Sequence, residues 1–402
     1  MKLKLHHVVI SFLMAFTLVG NAQNINDRAL WGSVCGMSNA TYYNETLDKM
    51  LVSWRMLPGD DASTSFDLYR SYSGKSEVKL NSDPIFATNF QDKSISFSDR
   101  GGVGDVTYRL TYSGSDETIG TYTLSSSQRV GKRPYISIPL TGTSDVCDTE
   151  GVSYQANDVS VGDLDGDGQM EIIVKRLLAY GDSDGTGSGA SPLFVRHTVL
   201  YEAYKLDGTM LWRVCSGPNI ILGNSSSFAV ADFDGDGKAE MAIKTGEGTI
   251  FGDGMEIPDT DGDGKTDYRT NGANYIGSGP EFFSIVDGLT GKELARADFI
   301  KRGKSEDWGD NYFKRAHSLR VGVGCFDGKL PSVILGRGVY AKSVIEAWDY
   351  RDGELTRRWN FDTDAKLTGK DGKAYSKYAA QGNHSLSVGD VDGDGFDEVV
   401  YG

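Results

Sequence analysis

The sequence predicts an all-β protein, with an N-terminal β-sandwich of the fibronectin III or immunoglobulin kind followed by a β-propeller. Three observations lead there. Short runs of alternating apolar and polar residues recur along the whole chain between Asp, Gly and Ser turns. An acidic loop flanked by two such runs repeats several times. Each full repeat also carries a second hairpin, and two hairpins make the four strands of one blade.

The chain opens with a short basic start, Lys2 and Lys4, an apolar run from Val8 to Gly20, and small residues before Gln23. Residues 1–22 therefore read as a cleavable export signal, and the protein is expected to be secreted, in the periplasm or outside the cell. No later run is long and apolar enough to span a membrane. Residues 24–141 form the expected sandwich. Its strands are read at Met50–Leu57, Thr64–Ser71, Ser94–Arg100, Val106–Ser113 and Thr118–Ser125. Trp54 and Tyr69 are assigned to its core. Four cysteines, Cys35, Cys147, Cys215 and Cys325, lack zinc-ligand spacing and could pair in any of three ways.

Residues 142–402 form the expected propeller. Its organising stretch is NDVSVGDLDGDGQMEIIVK, Asn157 to Lys175. Carboxylates at loop positions one, three and five converge as the backbone turns, Gly166 and Gly168 permit the turn, and an acid at position nine closes the set. An EF-hand would place its last ligand at position twelve, so this is a calcium loop between strands. The ligand sets are Asp163, Asp165, Asp167 and Glu171; Asp232, Asp234, Asp236 and Glu240; and Asp390, Asp392, Asp394 and Glu398. A fourth loop with Asp259, Asp261, Asp263 and Asp267 lacks the preceding apolar strand and is placed in an insertion. A further copy, Leu319 to Arg337, has Cys325 where the first Asp belongs; it keeps the strands and has lost the ligands. Several calcium ions are therefore expected as cofactors, with Asn157 and His384 as additional or outer ligands.

The second hairpins are read at Ala203–Arg213, Ile285–Arg296 and Ala347–Trp359. The chain then stops two strands into its fourth blade, so about three and a half blades are present and the propeller is expected to be incomplete at its C-terminus. The formal net charge is −15. The metal loops supply most of it, which leaves an anionic partner possible. Within a blade, the residues before strand one and after strand two share the face opposite the metal loops. That face is expected to expose a cationic groove, with Lys244, Arg315, His317, Arg337 and Tyr340 as candidates for catalysis.

Five ordered segments carry a family resemblance: YQANDVSVGDLDGDGQMEIIVK, AYKLDGTMLWR, SGPEFFSIVDGLTGKEL, RGVYAKSVIEAWDYRDGELTRRW and QGNHSLSVGDVDGDG. Together they resemble the secreted rhamnogalacturonan lyases of polysaccharide lyase family 11, over roughly Leu30 to Gly402. The resemblance implies an eight-bladed propeller, several calcium ions, and endolytic cleavage of the rhamnose–galacturonic acid backbone of pectin, rhamnogalacturonan I, by β-elimination. It also implies a longer C-terminal end, whose later blades supply much of the active groove. Metal-loop residues carry over from the family; catalytic residues do not. The expected partner is this anionic pectic polysaccharide, with no nucleic acid, and the chain is read as a monomer. A different reading is a non-catalytic calcium propeller that binds glycan or protein. A quinone-dependent dehydrogenase propeller ranks third, because no quinone site is visible.

Overall fold

The computed structural model describes residues 28–35, 49–57, 59–72, 75–95, 105–124, 138–143, 147, 153–178, 197–220, 226–270, 275–364, 367–368, 374–375, 382 and 384–401. The expected export signal, residues 1–22, lies outside the described residues. The chain divides into two compact units, Met1–Ser137 and Ile138–Gly402.

In the first unit, β1 (Trp31–Cys35), β2 (Lys49–Ser53) and β5 (Asn89–Asp92) form one antiparallel sheet. A second sheet has the order β4 (Val78–Lys79), β3 (Phe66–Tyr72), β6 (Val106–Tyr112) and β7 (Thr118–Leu124). Period-two alternation points Val106, Tyr108 and Leu110 inward, where they meet Met50, Val52, Phe66 and Leu68 in a single core. Trp54 belongs to that core, edge-on to Phe66 with ring centroids 5.4 Å apart. Tyr69 is only half-buried and stacks under the Arg109 guanidinium, 4.3 Å from its ring centroid. The strand expected at Ser94–Arg100 is corrected. Asn89–Asp92 takes its place beside β2, residues 94 and 95 are outside any strand, and the remainder lies outside the described residues.

Arg28 is buried with its guanidinium 5.2 Å from the centroids of both Phe66 and Tyr112. It is paired with Asp60. The hydrogen bond from Arg28 pulls the Asp60 carboxyl down to about 2. A carboxyl depressed on folding stabilises fully above its unfolded value near 4, and that contribution is lost as pH falls through about 2. Melting temperature followed from pH 5 to pH 2 should therefore fall less steeply in Asp60→Asn than in the parent, from a lower starting value. Parallel profiles would contradict the pairing.

The second unit is built from blades. Blade one has the order β11 (Met210–Cys215), β10 (Leu200–Tyr204), β9 (Glu171–Leu178) and β8 (Tyr154–Gly162). Blade two runs β12 (Phe228–Ala231), β13 (Glu240–Thr245), β14 (Phe282–Val286) and β15 (Glu293–Asp298). Blade three runs β16 (Leu319–Gly324), β17 (Ser332–Arg337), β18 (Val344–Arg351) and β19 (Glu354–Asp362). A short hairpin, β20 (Leu367–Thr368) with β21 (Ala374–Tyr375), precedes the pair β22 (Ser387–Gly389) and β23 (Glu398–Val400). The first strands β8, β12, β16 and β22 touch in succession, so they are the inner strands of a propeller.

Blades pack by burying apolar residues between sheets. Leu164, Tyr201, Met241, Ile243 and Val286 fill the space between blades one and two; Phe233, Phe283, Ile285, Val333 and Leu335 fill the next. At the top of blade two, Gly288 is forced by space, because a Cβ there would stand 1.9 Å from the Ala239 carbonyl oxygen. Cys147 and Cys215 form a disulfide with Cα atoms 6.1 Å apart. Cys325 is a free thiol.

Candidate metal centres

Each acidic loop is a tight structure held by its own first aspartate. Asp163 accepts from the N–H groups of Gly166 and Gly168 at 2.7 and 2.9 Å, and Asp232 accepts from Gly235 and Gly237 at 2.7 and 3.0 Å. Asp390 does the same for Gly393 and Gly395, at 2.6 and 2.9 Å. The glycines at these positions all have positive φ, near 80–90°, which L side chains adopt only with strain. The closing glutamate is tied to the second loop residue: Glu171 to Leu164 N–H at 2.9 Å, Glu240 to Phe233 at 2.8 Å, Glu398 to Val391 at 2.9 Å. These hydrogen bonds thus fix where the loop's carboxylates stand.

Four groups of carboxylate oxygens lie within 4.8 Å of one another: Asp232, Asp234, Asp236 and Glu240; Asp163, Asp165 and Glu171; Glu247, Asp259 and Asp261; Asp390, Asp392 and Glu398. Calcium–oxygen bonds of roughly 2.3–2.6 Å place opposite ligands about 5 Å apart, so every group fits one hard cation. Without a cation, burial first and then the neighbouring aspartates push Glu240 up to about 8. Burial and nearby carboxylates likewise raise Asp234 and Glu171. These raised values are what a divalent ion relieves.

Six of the expected ligands are outside these groups. Asp167 and Asp394 are outside the converging groups of their loops; each accepts the N–H two residues ahead, from Gln169 and Phe396. In the inserted loop Asp263 and Asp267 are replaced by Glu247. Asp267 is held instead by Arg269 at 2.7 Å, while Glu247 reaches in from the turn after β13 and accepts from Thr260. No local spacing could have found Glu247, since its distance from the loop closes only in space. Asn157 is exposed in a bulge of β8, at the end remote from Asp163. His384 is likewise at the far end of its strand from Asp390, with Nε2 2.6 Å from the Tyr340 hydroxyl.

In blade three, arginines stand where the other loops hold their carboxylate groups. Arg358 bridges Asp327 and Asp349 at 2.9 and 3.0 Å, and Arg351 is bonded to the carbonyls of Phe233, Pro331 and Leu330. A permanent organic cation thus ties this hairpin to the next strands, consistent with the loss of ligands at Cys325.

The opposite face departs from expectation. Lys244, His317 and Arg337 are 2%, 2% and 0% exposed, so they do not line an open cationic groove. They converge on Glu281, a residue the sequence reading missed. Glu281 accepts from Lys244 at 2.5 Å, Arg337 at 2.7 Å and Arg302 at 3.2 Å. Burial opposes its charge, but Arg337, Lys244 and Arg302 hold its carboxyl well below the usual range. Burial lowers Lys244 to about 8 and, with Lys244 and Arg337 alongside, keeps the His317 imidazole well below its ordinary value. Lys175 and Arg176 of β9 are also buried in ion pairs, with Asp158 and Glu202. The rule that wins is that a strand end inside a blade must pair its charges.

Arg315 and Tyr340 do reach solvent together. The Arg315 guanidinium lies 5.7 Å from the Tyr340 ring centroid, and Tyr340 is 53% exposed. Tyr340 has φ of 64°, unusual for an aromatic residue, and is fixed there by its N–H bond to Gly382 O at 2.8 Å.

Residues 135–402 match the family model described as rhamnogalacturonan lyase family 11, C-terminal domain. The chain belongs to rhamnogalacturonan lyase family 11. Residues 40–115 match the model of the rhamnogalacturonan I lyases beta-sheet domain. The chain is 40% identical over 358 residues to rhamnogalacturonan endolyase YesW of Bacillus subtilis (strain 168), across 88% of this chain and 52% of the relative. It is 40% identical over 364 residues to rhamnogalacturonan exolyase YesX of the same organism, across 89% of this chain and 54% of the relative. It thus spans about half the length of the curated relatives it matches. Among solved structures, YesW superposes with a TM-score of 0.65 at 37% identity, covering 94% of this chain and 58% of that one. A Bacillus licheniformis family 11 rhamnogalacturonan lyase gives 0.64 at 37%, with the same coverage. No described helix is long and apolar enough to cross a membrane.

Proposed function

We propose that this protein is a secreted, calcium-containing rhamnogalacturonan I endolyase that cleaves the rhamnose–galacturonic acid backbone of pectin by β-elimination. The reading rests on one observation above others: an exposed arginine–tyrosine–histidine group, Arg315, Tyr340 and His384, at the blade ends opposite the acidic loops of a family 11 propeller. Elimination at a uronate removes the C-5 proton and expels the O-4 substituent. It needs a cation at the carboxylate, a base and an acid. Arg315 is placed to face the carboxylate. The Tyr340 hydroxyl, bonded to His384 Nε2, can hold or pass a proton. Bound calcium supplies the positive charge that keeps the loop carboxylates together, so its role in this reading is structural.

A second reading, a calcium propeller that binds glycan or protein without cutting it, is favoured by the burial of Lys244, His317 and Arg337. Incubation with rhamnogalacturonan I, followed by absorbance of the unsaturated uronate, separates the two. The lyase reading predicts a rise with rhamnogalacturonan I, a weak response to polygalacturonate, and a mixture of oligosaccharide sizes early in the reaction. Tyr340→Phe should lower the rate by about a hundredfold. Binding without product favours the second reading, and disaccharide as the sole early product contradicts endo action.

A further inference from the structure

A cleft runs between the second and third blades on the side of their outer strands. One part, of about 450 Å³, lies between the turn 277–282 and the segment 298–303. The other, of about 670 Å³, lies between the outer strands β15 and β19. The two share Asp298, Phe299 and Lys301, so they adjoin along that segment. Each is in the range of roughly 300–1,000 Å³ typical of ligand sites.

We propose that this cleft binds an acidic oligosaccharide, with Lys301 contacting a uronate carboxylate where the two parts meet. The proposal deepens the pectic reading given above and rests on it for the identity of the sugar. The lining has the two surfaces that a sugar ring requires. Phe299 and Trp308 are buried beneath it, and Trp348 is half-buried at its edge, held edge-on to Phe283 at 5.1 Å. Phe299 and Trp308 form the buried floor, with Lys342 over the Trp308 ring, so the half-buried Trp348 is the aromatic side chain with surface left to meet the C–H face of a pyranose. Around them, Glu346 accepts from Trp348, Arg357 and Asn360 at 2.9 to 3.0 Å and presents a fixed polar rim for hydroxyl groups.

Charge selects the acidic sugar. Lys342 is neutralised by Asp362 at 3.1 Å and Arg357 by Glu346 at 3.0 Å. Lys301 is exposed and has no carboxylate within 4.0 Å among the described residues. Asp298, equally unpaired, stands beside it. That carboxylate is outweighed from below, where Glu281 carries three cations, Lys244, Arg302 and Arg337, and Arg302 itself lines the cleft. A positive site in a chain of net charge −15 is a local construction. Both walls lie in described residues, and Lys301 is exposed.

The full chain, in calcium buffer and in the cold, is titrated calorimetrically with three probes: rhamnogalacturonan oligosaccharides, oligogalacturonides and neutral galacto-oligosaccharides. Both acidic probes should bind, more weakly at high salt, and the neutral one should not; the tighter of the two names the natural source. Lys301→Glu should weaken binding by about tenfold at an unchanged melting temperature, and Lys301→Arg should retain it. Because Arg315 and Tyr340 offer another place for sugar, the same comparison is made in an Arg315→Ala background, where the Lys301 effect should persist. Equal binding of neutral sugar, no binding of any probe, or parental affinity in Lys301→Glu overturns the proposal. Absence of unsaturated product alongside Lys301-dependent binding counts against the lyase reading and leaves the cleft intact. Product formation with affinity indifferent to Lys301 does the reverse.

Discussion

Stripping divalent cations with excess chelator should lower the melting temperature of this protein by roughly 15–30 °C. Each filled site contributes about 2.7 kcal/mol when the ion is a hundredfold above its dissociation constant. For a unit of this size one kcal/mol moves the melting temperature by roughly 2–4 °C, so three blade loops give that sum. The cause is visible in blade two. Asp232, Asp234, Asp236 and Glu240 are brought within 4.8 Å by a loop already tied by its own hydrogen bonds, so the chain cannot relax to separate them. Asp232→Ala should reproduce roughly a third of the loss and be less sensitive to chelator. Differential scanning calorimetry with and without chelator reads both. Superimposable traces would contradict structural calcium.

Glu281→Gln should destabilise the propeller by about 3–5 kcal/mol, the usual cost of leaving buried charge unbalanced. The substitution preserves shape but leaves Lys244, Arg302 and Arg337 facing one another, two of them bonded to the lost carboxylate oxygens at 2.5 and 2.7 Å. Arg302 keeps its carbonyl partners at Ile276, Ser278 and Gly279, so the loss falls mainly on Lys244 and Arg337. Urea unfolding measures it, and Lys244→Met in the same background should recover part of the stability by removing one uncompensated charge. A Glu281→Gln midpoint equal to the parent's would show that the cluster is not the keystone of this face.

What could be read before any coordinates was whatever depends on short spacing. The DxDxDG loops, the alternating strands around them and the second hairpins read at Ala203–Arg213, Ile285–Arg296 and Ala347–Trp359 are local, and the blades follow their order. Contacts between distant residues were not legible. Glu247 joins an acidic loop twelve residues ahead of it, and Glu281 draws Lys244, Arg302 and Arg337 from three different segments. The reading of strand-end cations as a solvent-facing groove failed for the same reason. Sequence shows that Lys244 and Arg337 stand at strand ends, whereas only the sheet shows that a carboxylate waits there. Cys147 and Cys215 were two of four possible partners, and packing of the first blade selected the pair.

The most direct test counts calcium. Protein passed through a calcium-free column and hydrolysed for elemental analysis should retain about four ions per chain if each described acidic group holds one tightly, and Asp232→Ala should retain one fewer. A chain that carries no calcium and binds none on titration, with its fold unchanged, would contradict the account of these loops as ion-clamped blade rims.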